Sequence, residues 1–119
     1  MQLDPNLVII ELGGNDFLEQ VPKETTLKNL REMILKIQAR GAMVALCDVA
    51  SGIFLFGYRS DYRGLAKDTG SIFIPHLLQA VLTKSELKAD EIHPNSAGYK
   101  MMADNVYKAI KPYISETTR

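Results

Sequence analysis

Two short stretches hold the residue types that acid–base and oxyanion chemistry require. In 90–95 (DEIHPN), Asp90 and His93 stand three apart. Coiled as a single turn, this piece lets the carboxylate accept a hydrogen bond from one imidazole nitrogen and leaves the other facing outward as a base. Such a carboxylate fixes the tautomer and stabilises the imidazolium formed when the base takes a proton. In 11–16 (ELGGND), Gly13 and Gly14 let backbone approach a ligand closely, and the Asn15 side-chain NH2 can donate to an oxygen that gains negative charge in a transition state. Each stretch also has a plainer reading. The first is then a surface histidine ahead of a helix, the second a strand-to-helix turn with Asn15 left-handed and Asp16 as a cap. His76 is the only other histidine, and no His, Cys and carboxylate cluster has zinc spacing, so neither a metal nor an organic cofactor is implied.

The elements that would carry these residues alternate between strand and helix. Residues 7–12 (LVIIEL) form a nearly continuous branched-aliphatic run, announced by Asp4-Pro5-Asn6 and stopped by Gly13-Gly14, as expected for a strand buried on both faces. Between 25 and 40, Leu27, Leu30, Ile34 and Ile37 recur at three and four residues, which predicts an amphipathic helix ended by Gly41. Residues 43–49 (MVALCDV) read as a second strand broken by Ser51-Gly52, so strand, helix and strand imply a right-handed parallel crossover. Residues 53–58 (IFLFGY) lack a clear period and read as a loop into a short helix over 60–67, which contains Gly64. Residues 71–75 (SIFIP) suit a third strand, and 76–82 a short helix or turn. Tyr99, Met102, Val106, Ala109 and Tyr113 then repeat at helical spacing behind Asn95 and Ser96, either of which could cap the helix start. In an open parallel sheet the carboxyl ends of the strands carry the ligand site, and GGND lies at such an end.

Composition narrows the classes. A chain of 119 residues with 46% hydrophobic content suits one globular domain. Lys+Arg and Asp+Glu balance at 14 each, which leaves no global positive field to hold nucleic acid or an anionic membrane. Cys47 is the only cysteine and its apolar neighbours suggest a small buried side chain. No apolar stretch is long enough to cross a bilayer, so no stable membrane anchor is expected, and residues 1–6 lack the layout of a signal peptide.

Taken together, Gly13-Gly14-Asn15-Asp16 and Asp90-Glu91-Ile92-His93-Pro94 resemble two blocks of the SGNH (GDSL-type) hydrolases, GxND after a central strand and DxxHP before the terminal helix. The flanking PNLVIIELGGND and DEIHPNSAGYKMMADNV look like the single-domain bacterial arylesterase, thioesterase and lysophospholipase branch. The resemblance implies an α/β fold, a three-layer α/β/α flavodoxin-like parallel sheet, and hydrolysis of carboxylic esters or thioesters through an acyl-serine. By the same resemblance Asn15 would donate to the oxyanion, His93 would be general base and then acid, Asp90 would orient His93, and Gly14 would keep backbone close to a small acyl ester or thioester substrate. A periplasmic or secreted location is plausible by family.

The family opens with a GDS(L) block carrying the nucleophile, then a block supplying a glycine; no GDS tripeptide occurs here. Two missing βα units correspond to roughly 50–60 residues, so residues 1–119 are expected to be the carboxyl-terminal part of one domain, incomplete at its amino terminus. Ser51 follows the second apolar run, but spacing supplies neither a strained elbow nor reach to a base, and Ser51-Gly52 suits a turn. With the family's sheet order 2-1-3-4-5, loss of the first two strands exposes the strand from Leu7 to Leu12 as an edge, which would recruit a second copy or the amino-terminal fragment. The competing reading is a non-catalytic fragment or assembly subunit, inactive alone. Residues 53–58 with Leu77, Leu78 and Leu82 either line an acyl pocket or belong to the ordinary core.

Overall fold

The alternation of apolar runs and amphipathic repeats produces a parallel sheet with helices on both faces. The computed structural model describes residues 4–12, 21–48, 58–75, 77, 84–89 and 94–114. In chain order these form β1 (Leu7–Ile10), α1 (Lys23–Ala39), β2 (Met43–Cys47), α2 (Tyr58–Thr69), β3 (Ile72–Ile74), a 3-10 turn (Ser85–Leu87) and α3 (Ser96–Ile114). The strands lie in the order β1-β2-β3, all parallel, with Ile10 beside Leu46 and Cys47 beside Ile74.

Alternation along each strand divides the core in two. Val8, Ile10, Val44, Leu46 and Phe73 face α1 and α2, where they meet Leu30, Ile34, Ile37, Tyr62, Leu65 and Ala66. Leu7, Ala45, Cys47, Ile72 and Ile74 face the other way, against Met102, Val106, Ala109 and Ile110 of α3. Both crossover helices share one face because crossovers of one hand, stepping in one direction across the sheet, must do so. The terminal helix then covers the second face, which completes the three layers. α1 ends at Gly41 and α2 at Gly70, whose positive φ angles of 88° and 71° suit the glycine that follows a helix C-terminus.

Four elements differ in detail from the sequence expectation. β1 is at the edge of the described sheet, and Ile9 is 45% and Leu12 50% exposed, so the run that reads as buried on both faces is covered only in part. α2 begins at Tyr58 and passes unbroken through Gly64. The Ser85–Leu87 turn has no periodic signal short enough to betray it. Tyr99 and Tyr113, which share the repeat of Met102 and Val106, are both more than half exposed. The reason is length: α3 has 19 residues and spans about 28 Å, whereas a three-residue strand spans about 10 Å, so the ends of the helix overhang the sheet.

Candidate active site

The residues chosen for chemistry, Gly13, Gly14, Asn15, Asp16, Asp90 and His93, together with Ser51 and His76, lie outside the described residues, as do 53–57, Leu78 and Leu82. Their immediate flanks are described. Continuing the strand register past Ile10–Leu46 and Cys47–Ile74 sets Leu12, Asp48 and Pro75 abreast, along the carboxyl rim of the sheet. The backbone N–H of Asp48 donates to the Ile74 carbonyl at 2.9 Å, which carries the β2–β3 ladder up to that rim. Leu12 immediately precedes the GGND stretch.

The second flank reaches the same rim. Tyr113, in the last turn of α3, lines a groove with Ala42, Met43, Gly70 and Ile72 at the amino ends of β2 and β3. The helix therefore runs antiparallel to the strands and starts near their carboxyl ends, with Pro94 and Asn95 ahead of its first turn. Asn95 supplies the cap, because its Oδ1 accepts from the Gly98 N–H at 2.9 Å. Its other groups close the loop in front. The backbone N–H of Asn95 donates to Leu87 O and its Nδ2 to Glu86 O, each at 2.9 Å, and Lys88 pairs with Pro94 in an isolated antiparallel bridge. Both ends of the segment containing Asp90 and His93 are thus tied to the 3-10 turn. Leu87 in that turn is buried with Cys47, Ile74 and Leu77.

Polar groups at the rim include several that sequence reasoning passed over. Asp48 is fully buried and pairs through Oδ2 with Nε of Arg59 in the first turn of α2. A buried carboxylate needs such a partner, since uncompensated charge in the interior is very costly. The signal available was an aspartate directly after an all-apolar strand. Tyr62, one turn along, donates its hydroxyl to the Leu12 carbonyl at 2.7 Å. Lys23 at the start of α1 lies 2.8 Å from Asp61, and this hydrogen-bonded carboxylate raises the lysine pKa. Partial removal from water pushes up the Glu11 carboxyl, although the residue as a whole is exposed. Burial, with the charges of Glu11 and Asp48 adding to it, pushes the Cys47 thiol up to about 12. Cys47 is therefore the small buried side chain its neighbours suggested, not a nucleophile. Leu77 and Tyr58 pack against the two cores, which is the ordinary-core alternative for those two residues.

Among the described residues no three of His, Cys, Asp and Glu gather closely enough to hold a metal ion, and no helix is long and apolar enough to cross a membrane.

Known proteins resemble the chain along almost its whole length. Esterase TesA of Pseudomonas aeruginosa is 30% identical over 116 residues, 92% of this chain. Thioesterase 1/protease 1/lysophospholipase L1 of Escherichia coli strain K12 is 27% identical over 120 residues, 96% of the chain. The chain spans 58% of the length of each of these relatives. Among solved structures, the psychrotrophic esterase EstA from Pseudoalteromonas sp. superposes with a TM-score of 0.82 at 29% identity, covering 96% of this chain and 66% of that one. A structure of TesA gives 0.81 at 32% identity, covering 92% and 64%. These neighbours share the flavodoxin-like three-layer arrangement described above. Residues 1–101 match the GDSL-like Lipase/Acylhydrolase family, and the chain belongs to it.

Proposed function

We propose that this chain is the carboxyl-terminal part of a single-domain hydrolase of carboxylic esters or thioesters, and that it contributes the base and one oxyanion donor while the nucleophilic serine comes from outside it. The observation that carries this reading is the convergence of two flanks, Leu12 before GGND and Pro94 after DEIH, on one rim of the sheet. The absence of a GDS tripeptide and the partial coverage of the relatives support the external serine.

In the proposed mechanism His93, oriented by Asp90, takes the proton of the serine hydroxyl as its oxygen bonds to the substrate carbonyl carbon. Asn15 donates to the resulting oxyanion, and Gly14 keeps the backbone near it. Collapse expels an alcohol or thiol, which receives the proton held by His93. His93 then deprotonates water, whose attack on the acyl-serine releases the acid and regenerates the serine. The β1 edge is where the serine-bearing amino-terminal polypeptide docks.

A fluorophosphonate probe with mass mapping tests the assignment. The chain alone should show no labelled serine and no hydrolysis of a p-nitrophenyl ester, and addition of the amino-terminal part of such a domain should restore both. In that assembly Asn15→Ala should cut kcat by about 10²–10³. Labelling of a serine within this chain overturns the external nucleophile. Binding of the amino-terminal part without hydrolysis favours the non-catalytic assembly subunit instead.

A further inference from the structure

β1 meets the rest of the described fold chiefly through β2, because α1 packs on β2, α2 on β2 and β3, and α3 on β3. Its pairing with β2 begins where the Met43 N–H donates to the Asn6 carbonyl at 2.9 Å, and it ends at Ile10 and Leu46. The even spacing of a parallel ladder makes the amides of Ile10 and Cys47 its last donors. Strand ends of this kind fray, since few buried contacts resist their opening. Here a side chain continues what the ladder no longer does. Two residues beyond Ile10, the Leu12 carbonyl accepts a hydrogen bond at 2.7 Å from the hydroxyl of Tyr62, the largest fully buried side chain. The Tyr62 ring is held in turn: Tyr58 stacks on it with centroids 6.2 Å apart, and Lys23 lies over the Tyr58 ring while paired with Asp61 at 2.8 Å. The first turns of α1 and α2 thus clasp the exit of β1.

We propose that this clasp keeps β1 extended up to its exit and so presents its outer edge as a preformed pairing template for a strand of the amino-terminal polypeptide. This rests on the β1 edge as the docking place of that polypeptide, given under the proposed function. A strand added to a sheet edge binds through main-chain hydrogen bonds, and ordering the receiving edge beforehand removes that entropy cost from association. Apolar cover does not supply the order, because Ile9 and Leu12 are each about half exposed. A phenylalanine at position 62 would fill the same core, whereas the hydroxyl adds the tie to β1.

Tyr62→Phe in the full chain tests the proposal, first by hydrogen exchange at dilutions where the chain is monomeric. The Ile10 and Cys47 amides should exchange about fivefold faster, the factor that one lost hydrogen bond carries. The Met43 amide at the far end of the same ladder and the Asp48 amide, bonded to Ile74, should keep their rates. Thr69→Val, which removes a hydroxyl at the other end of α2, should change none of the four. Unchanged rates at Ile10 and Cys47 overturn the clasp, and so does an equal rise at all four amides, which reports general destabilisation. Should Tyr62→Phe fail to fold, Asp61→Asn at a partly exposed site releases Lys23 from the brace, and at least a twofold rise confined to Ile10 and Cys47 is required of it. The second readout is association with the amino-terminal part, whose Kd should rise at least threefold in Tyr62→Phe; an unchanged Kd overturns the template role. If the wild-type chain does not bind that part, the docking reading fails and the template role with it, while the exchange rates separately decide whether Tyr62 clasps β1.

Discussion

Cys47 ends β2 between a helix-covered core and the acids of the rim, and its surroundings dictate how it titrates. Burial raises the thiol from its ordinary 9.0 to about 12, so the folded chain keeps a proton that the unfolded chain releases. Stability attached to this group is thus fully present below pH 9.0 and is lost as the pH climbs toward 12, by about 1.4 kcal/mol per unit. Urea midpoints measured from pH 8 to pH 10.5 should therefore fall more steeply in wild type than in Cys47→Ala. At pH 8 the native thiolate fraction should be about a thousandfold below that of the unfolded chain, so a disulfide reagent should label Cys47 only after unfolding. Such a buried cysteine was legible from its apolar neighbours. The braces at the rim were not, because Tyr62 and Leu12 are 50 residues apart and Arg59 meets Asp48 across 11. The candidate catalytic residues stand in short local motifs, so they could be named from side-chain type and spacing, with their roles implied by the family resemblance; they lie outside the described residues.

Helices and strands were readable wherever an apolar period ran long enough to exceed local noise. α1 fits its repeat to within two residues at its start and one at its end, whereas Gly64 disguised α2. A glycine inside a helix costs about 0.5–1 kcal/mol relative to alanine, and burial of Tyr62, Leu65 and Ala66 on one face outweighs it. A Cβ at Gly64 would meet nothing within 4 Å, so Gly64→Ala should stabilise the fold by about 0.5–1 kcal/mol in chemical denaturation. Gly41 is the contrasting case. A Cβ there is equally unobstructed, but φ is +88°, and Gly41→Ala should destabilise by about 1–2 kcal/mol through the backbone alone. Equal effects at the two sites would contradict this division. Asn95 joins element to loop: Asn95→Ala removes the α3 cap, at about 1 kcal/mol, together with the tether to Glu86.

At the scale of the whole molecule, β1 has the apolar sequence of an interior strand and occupies the edge of the described sheet. Its hydrogen-bonding groups on that side, with Ile9 and Leu12 about half exposed, are of the kind that pairs readily with another chain. Natural edges are blunted by charge, and here the strand carries none between Leu7 and Ile10. In the absence of an amino-terminal complement, the chain should accordingly self-associate as its concentration rises, with β1 protected from hydrogen exchange in the associated form. Ile9→Lys introduces an edge charge at a position already 45% open to water, so it should change folding stability by less than about 0.5 kcal/mol. Sedimentation should nevertheless show this variant monomeric at concentrations where wild type associates. The association should weaken little with added salt, since it rests on backbone pairing and apolar contact rather than on long-range charge. On the proposed function, an amino-terminal polypeptide docks on this same edge, and its addition should displace the second copy. Persistence of self-association in Ile9→Lys, or in the presence of the complement, would locate the contact elsewhere on the molecule.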